Sequence, residues 1–175
     1  RALTLAERRL RLDRMPDRQR ERLQLLQTSL TYRDTRLSGL DAIVLMEVIE
    51  HLDPTRLVDL ERNLFTHARA GTVIVTTPNA EYNVLYPALA ADPGALRHPD
   101  HRFEWTRAQF QAWADGVAAA HGYRVRHAPI GEVDPTHGAP TQLAVFTAVE
   151  AHREIALFPQ IVENSDLTAI TGEGG

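Results

Sequence analysis

Three residues in the run Glu47-Val-Ile-Glu-His51 have the types and spacing of half a metal site. Within one helical turn, positions i, i+3 and i+4 share a face, so Glu47, Glu50 and His51 point one way. Val48 and Ile49 then point the other way, into a core. Two carboxylates and an imidazole on one face suit a divalent cation. The run follows Asp41-Ala-Ile-Val-Leu-Met46, a short apolar segment that reads as a buried parallel strand. Asp53-Pro54 and a helical pattern come next. The five residues therefore stand at a strand's carboxyl end, the rim where open α/β sheets bind ligands.

Two further stretches carry chemistry-bearing residues: Thr76-Thr-Pro-Asn-Ala-Glu-Tyr-Asn83 and Arg97-His-Pro-Asp-His-Arg-Phe-Glu-Trp-Thr-Arg107. With Glu47–His51 they form a specific combination. From about Ser29 to about Phe146 the chain resembles the RNA 3′-terminal ribose 2′-O-methyltransferases that modify small RNAs in plants and animals, whose bacterial relatives work in RNA repair. Many other S-adenosylmethionine-dependent methyltransferases carry a similar Glu-x-x-Glu-His run without a metal, so the metal reading rests on the second and third stretches.

The resemblance implies four metal ligands: Glu47, Glu50, His51 and His101. They would leave two coordination positions for the adjacent 2′ and 3′ hydroxyls of a terminal ribose. A bound cation lowers the pKa of such a hydroxyl. The family is usually assigned Mg²⁺, whereas two imidazoles suit Mn²⁺, Co²⁺ or Fe²⁺ better. His98 is a rival fourth ligand. His51 or His101 is also a candidate to take the departing proton. For S-adenosylmethionine the resemblance points to Ser29, with Asp34 as the second candidate, itself open to being a turn residue bonded within its own loop. Tyr82 and Asn83 are expected on the substrate side, with Tyr82 available to stack on a base. Pro78-Asn79 reads equally as the turn that ends a strand. Arg102 and Arg107 are candidates to hold phosphates or to pair with Glu104. Phe103 and Trp105 read as anchors of their loop. His67, His121, His127, His137 and His152 have no partner pattern and read as surface or loop residues.

The elements that must position these groups follow from periodicity. A helix is expected over 2–14, interrupted by Pro16, and a strand over 22–27. After the strand at 41–46, Asp53 reads as an N-cap with Pro54 at N1. Leu57, Leu60, Leu64 and Phe65 form the buried stripe of a helix ending near Ala70, with Gly71 at its C-cap. A second buried strand spans 72–77. A loop of about 28 residues follows, long enough to suggest function. Thr106 caps a helix carrying Phe110, Trp113, Ala114 and Val117. Strands at 122–127 and 141–149 close an antiparallel hairpin. The fold class is α/β, a Rossmann-like class I methyltransferase sheet with a C-terminal antiparallel hairpin. Residues 1–150 form the methyltransferase domain and 151–175 a partly disordered tail.

Composition is consistent with this. The chain has 175 residues, 43% of them hydrophobic, enough for a core, and no cysteine, which excludes disulfides and thiolate metal sites. A net charge of −4 argues against broad nucleic-acid binding. All 19 basic residues are arginine, and many crowd the first segment as a solvated face. A soluble cytosolic protein is the default, with no membrane partner. The Gly-rich turn of a class I methyltransferase is missing: the first glycine is Gly39, and Gly-x-Gly occurs only at 172–174. The resemblance places the first two family strands before Arg1. The strand at 41–46 is then a sheet edge, and this chain alone is expected to bind cofactor poorly and to be inactive. An RNA 3′ end is the expected substrate and a polynucleotide kinase-phosphatase the expected repair partner. The alternatives are a metal-free small-molecule O-methyltransferase of the same class and a non-enzymatic RNA-binding fragment.

Overall fold

The computed structural model describes residues 2–92 and 94–149. The tail expected over 151–175, with His152, lies outside them. The elements run α1 (Ala2–Arg9), α2 (Asp17–Arg20), β1 (Ala42–Met46), α3 (Leu57–Glu61), β2 (Thr72–Pro78), α4 (Pro87–Ala90), α5 (Arg107–His121), β3 (Tyr123–Ile130) and β4 (Thr141–Ala148).

The four strands form one sheet in the order β1-β2-β4-β3. β1 and β2 are parallel, with Met46 beside Thr76. β4 is antiparallel to both β2 and β3. β2 is central, and Val73 and Val75 are fully buried. β1 is an edge, as expected, and exposes Val44 and Met46. Phe65 and Phe146 meet in the core at 4.9 Å between ring centres. Ile49, Leu57, Leu60, Leu64, Phe110, Ala114 and Val117 belong to the same cluster. Placing seven such side chains out of water supplies on the order of 10 kcal/mol, before chain entropy is counted.

Helix termini follow their sequence signals closely. The Asp53 carboxylate accepts from the Thr55 amide and Pro54 stands at N1. Thr106 and Gln109 form a reciprocal capping box at the start of α5, and Gly122, at φ 74°, closes it.

Four expectations need correction. The N-terminal helix stops at Arg9 and not near residue 14, and a separate short turn covers Leu12–Arg14. Residues 22–27 are not a strand. Arg22-Leu-Gln-Leu-Leu-Gln27 holds no β-branched or aromatic residue, and no ladder partner is beside it among the described residues. The helix after Pro54 widens into a π-helical segment, Arg62–Ala68, ended by left-handed Arg69 and not by Gly71. Gly71 has another use: a Cβ there would stand 3.3 Å from the Asp41 carbonyl, where the chain enters β2. Finally, the long segment after β2 is not structureless. It forms a 3₁₀ turn over Ala80–Leu85, then α4.

Candidate functional site: a carboxylate and two imidazoles at the rim of β1 and β2

β1 ends at Met46, and Glu47 breaks its extended path with φ 53°. A left-handed glutamate costs roughly 1 kcal/mol or more, and such strain collects at functional sites. Its amide donates to the Thr76 carbonyl at 3.2 Å, which ties the break to β2. A 3₁₀ turn over Ile49–His51 follows. Ile49 is fully buried in the core, and so, unexpectedly for a charged residue, is Glu50.

The Glu50 carboxylate is poorly satisfied. Oε2 accepts from the Thr77 hydroxyl at 3.1 Å. Oε1 is buried without a hydrogen-bond partner. Burial pushes its pKa up, and the neighbouring Glu47 charge adds to the rise. An orphaned carboxylate oxygen in a core is costly unless something binds it.

His51 and His101 lie close to that carboxylate. One ligand atom from each of Glu50, His51 and His101 lies within 4.8 Å of the others, and the two rings are 4.8 Å apart. Each imidazole turns Nδ1 toward an oxygen: His51 toward the Asp100 carbonyl at 3.3 Å, His101 toward the Glu104 carboxylate at 2.6 Å. Oxygen acceptors at Nδ1 require a proton there, so the neutral form of either ring keeps its lone pair on Nε2. Two imidazoles grouped with a poorly satisfied carboxylate are a donor set that fits a divalent cation.

His101 reaches the site because the loop before α5 is pinned at several points. The Arg102 amide donates to the Glu50 carbonyl at 2.7 Å. Asn79 and Trp105 form a parallel bridge. The Gln142 amide reaches both the Pro78 and Trp105 carbonyls, and the Asn79 amide reaches those of His137 and Ala139. Asn79 thus does more than end a strand. Phe103 and Trp105 pack on the core 4.5 Å apart, as loop anchors.

Three of the four expected ligands come together. Glu47, the fourth, stands outside the group. It is not on the helical turn that would align it with Glu50, and its Oε1 accepts from the Thr76 hydroxyl at 2.9 Å. His98 is exposed and also outside the group, with its ring 6.1 Å from that of His51. Ser29 bonds to Thr31, and Asp34 caps the turn at Thr35–Leu37 while both its oxygens bind Arg36. Asp34 therefore behaves as a turn residue, and the Arg36 guanidinium holds its carboxyl far below the usual range.

On the substrate side, Tyr82 packs 5.6 Å from the Tyr86 ring. Asn83 is drawn inward: its amide donates to Glu104 at 2.6 Å and its carbonyl accepts from Arg97 at 2.6 Å. Arg107 pairs with Glu81, not with Glu104, and also reaches the Thr136 carbonyl. Arg102 is exposed near Asp53, whose carboxyl is lowered mainly by Thr55 and less by Arg102. The residues missed in the sequence are Thr77, Glu104 and Arg97 in its side-chain role. The His101-x-x-Glu104 spacing was the available signal for one of them.

No family model matches the chain. Among solved structures, the methyltransferase domain of bacterial CtHen1-C superposes with a TM-score of 0.74 at 54% identity, over 83% of this chain and 71% of that one. The chain belongs to the Hen1 methyltransferase family. The small RNA methyltransferase HEN1 also shares the fold with this Hen1 chain, with a TM-score of 0.64 at 31% identity, over 75% of this chain and 17% of that one. The small RNA 2′-O-methyltransferase of Xenopus tropicalis is 41% identical over 128 residues, 71% of this chain and 34% of the relative. That of Mus musculus is 40% identical over 124 residues, 68% and 30%. The chain thus spans about a third of the length of those relatives. No helix among the described residues is long and apolar enough to cross a membrane.

Proposed function

We propose that this protein takes part in divalent-metal-dependent transfer of a methyl group from S-adenosylmethionine to the 2′-hydroxyl of the 3′-terminal nucleotide of an RNA. The observation that carries the reading is the buried Glu50 carboxylate, one oxygen of which has no hydrogen-bond partner, grouped with the imidazoles of His51 and His101. The likeness to small RNA 2′-O-methyltransferases supports the substrate class.

Glu50, His51 and His101 would hold the cation, and Glu47 stands beside them at the rim. A cation there supplies Lewis acidity, which lowers the pKa of a ribose hydroxyl and favours a vicinal diol as a two-point ligand. Internal nucleotides have no free 3′-hydroxyl, so the same demand selects an RNA end. Two nitrogen donors favour Mn²⁺, Co²⁺ or Fe²⁺ over Mg²⁺. Both imidazoles turn Nδ1 to an oxygen, which leaves Nε2 of each neutral ring for the cation. Neither keeps a nitrogen for the hydroxyl proton, which argues against His51 or His101 as a general base. Ser29 remains the cofactor-side candidate. Tyr82 and exposed Arg102 remain the residues for a base and a phosphate. RNA repair alongside a kinase-phosphatase is the bacterial setting this activity fits.

The test compares, in the intact protein, methylation of one RNA carrying a 3′-hydroxyl with its 3′-phosphate form, with Mn²⁺ and with a chelator. Transfer confined to the 3′-hydroxyl RNA and lost with the chelator is expected. Equal transfer to both ends, or undiminished transfer without metal, overturns the reading.

A further inference from the structure

We propose that Glu104 is the positioning residue that commits His101 to bind metal through Nε2, and that it does so from a latch closed by Asn83 and Arg97. The inference rests on the metal reading above and adds a residue to it. The Glu104 side chain is 0% exposed and that of His101 is 9% exposed. Glu104 Oε1 accepts from His101 Nδ1 at 2.6 Å and from the Arg97 amide at 2.7 Å. Oε2 accepts from the Asn83 amide at 2.6 Å. Asn83 Oδ1 in turn accepts from Arg97 Nε at 2.6 Å. The two terminal nitrogens of Arg97 donate to the Pro140 carbonyl at 2.8 Å and the Asn79 carbonyl at 2.5 Å. The donors therefore fix the network's direction, and both Glu104 oxygens are used.

A carboxylate cannot face a bare Nδ1 at this distance, lone pair against lone pair. Glu104 thus demands a proton on His101 Nδ1, which in the neutral ring leaves Nε2 as the free lone pair of a residue grouped with Glu50 and His51. A carboxylate behind a ligating imidazole also raises its basicity. Removal of such partners lowers metal affinity by roughly 10–100-fold. Glu104 is not itself a ligand, because its oxygens are spent inside the loop.

The network offers a variant that separates positioning from mere packing. Glu104→Gln puts an amide NH₂ against the Asn83 NH₂, two donors face to face. Adding Asn83→Asp restores a donor–acceptor match at every contact, yet it moves the charge away from His101. The experiment measures Mn²⁺ affinity by calorimetry for wild type, E104Q and N83D/E104Q, thermal midpoint for each, and the His101 tautomer by ¹⁵N NMR in metal-free wild type. The Nδ1–H tautomer is expected. Affinity should fall 10–100-fold in E104Q, and the double variant should regain the thermal midpoint but still bind about tenfold more weakly. Wild-type affinity in E104Q or in the double variant, or an Nε2–H tautomer, overturns the proposal. Should E104Q alone fail to fold, the double variant decides. A wild-type protein that binds no Mn²⁺ overturns the metal reading itself; wild type and variants binding alike overturn only the role of Glu104.

Discussion

Two glutamates are buried at this site, one in each of its segments, and they are treated in opposite ways. Glu104, in the loop before α5, receives three donors on its two oxygens. Glu50, in the turn after β1, receives one side-chain donor and leaves an oxygen with none. Both have been taken out of water, so both carry a desolvation cost. The loop answers that cost within the protein, and the turn does not. A carboxylate whose partners are all internal holds a shape, whereas one left a partner short is where an external ligand is to be sought. The same contrast separates Arg97, spent on three acceptors, from the exposed Arg102.

The sharpest way to break this contrast is to delete each side in turn. In the intact protein, Glu50→Ala should cost methyl transfer by about 100-fold or more, because it removes an interaction that matters when the hydroxyl reacts. The fold should persist, since little is bonded to that side chain. Steady-state kcat/KM with melting curves checks both halves. Undiminished turnover would remove Glu50 from the site. Arg97→Ala should act the other way round. It leaves Asn83 Oδ1 without its donor, removes one of two donors from each of the Asn79 and Pro140 carbonyls, and loses the stacking of the guanidinium over Tyr86 at 5.2 Å. A loss of about 3 kcal/mol is expected, roughly 10 °C in melting temperature. A shift under about 2 °C would mean that the loop is held elsewhere.

Glu50→Gln sharpens the comparison further, because its sign is opposite. Gln keeps an acceptor for the Thr77 hydroxyl and removes the charge whose burial raises the Glu50 pKa. The metal-free variant should be more stable than wild type by about 1 kcal/mol while binding Mn²⁺ far less well. Thermal melts in a chelator read the first effect and calorimetry the second. A destabilised variant would show that Glu50 is satisfied after all.

Much of this could be read from residue order. Asp53-Pro54, Thr106 with Gln109, and the stripe Leu57, Leu60, Leu64, Phe65 are local signals, and each does locally what it says. Glu50, His51 and His101 were also legible, through types, spacing and family resemblance. What was not legible depends on partners distant in sequence. Residues 22–27 look apolar enough for a strand, but a strand exists only where another pairs with it. Asn83 and Arg107 look free for a substrate because nothing in their neighbourhood reveals Glu104 and Arg97, or Glu81. Glu47 appears to share a face with Glu50 only if the turn is helical from its first residue, and the left-handed backbone there removes that premise.

Arg107 and Glu81 supply the weakest test, at the far end of the same loop. The Arg107 guanidinium lowers the Glu81 carboxyl below its ordinary value of 4.5, chiefly through a direct hydrogen bond. A carboxyl held lower in the folded chain than in the unfolded one stabilises the fold when ionised. That contribution is complete above the ordinary value and is lost as pH falls through the lowered one. The pair is partly exposed, with side-chain exposures of 43% for Arg107 and 27% for Glu81, so solvent screening holds the effect to about 0.5–1 kcal/mol. Wild type should therefore be slightly more stable than Glu81→Gln from neutral pH down to the ordinary carboxylate range, and the two should converge in more acidic solution. Denaturation midpoints of both proteins across that span measure the difference. Equal midpoints at neutral pH would assign the contribution of Glu81 to its acceptance from the Arg107 amide, which a neutral Gln retains, and not to the ion pair.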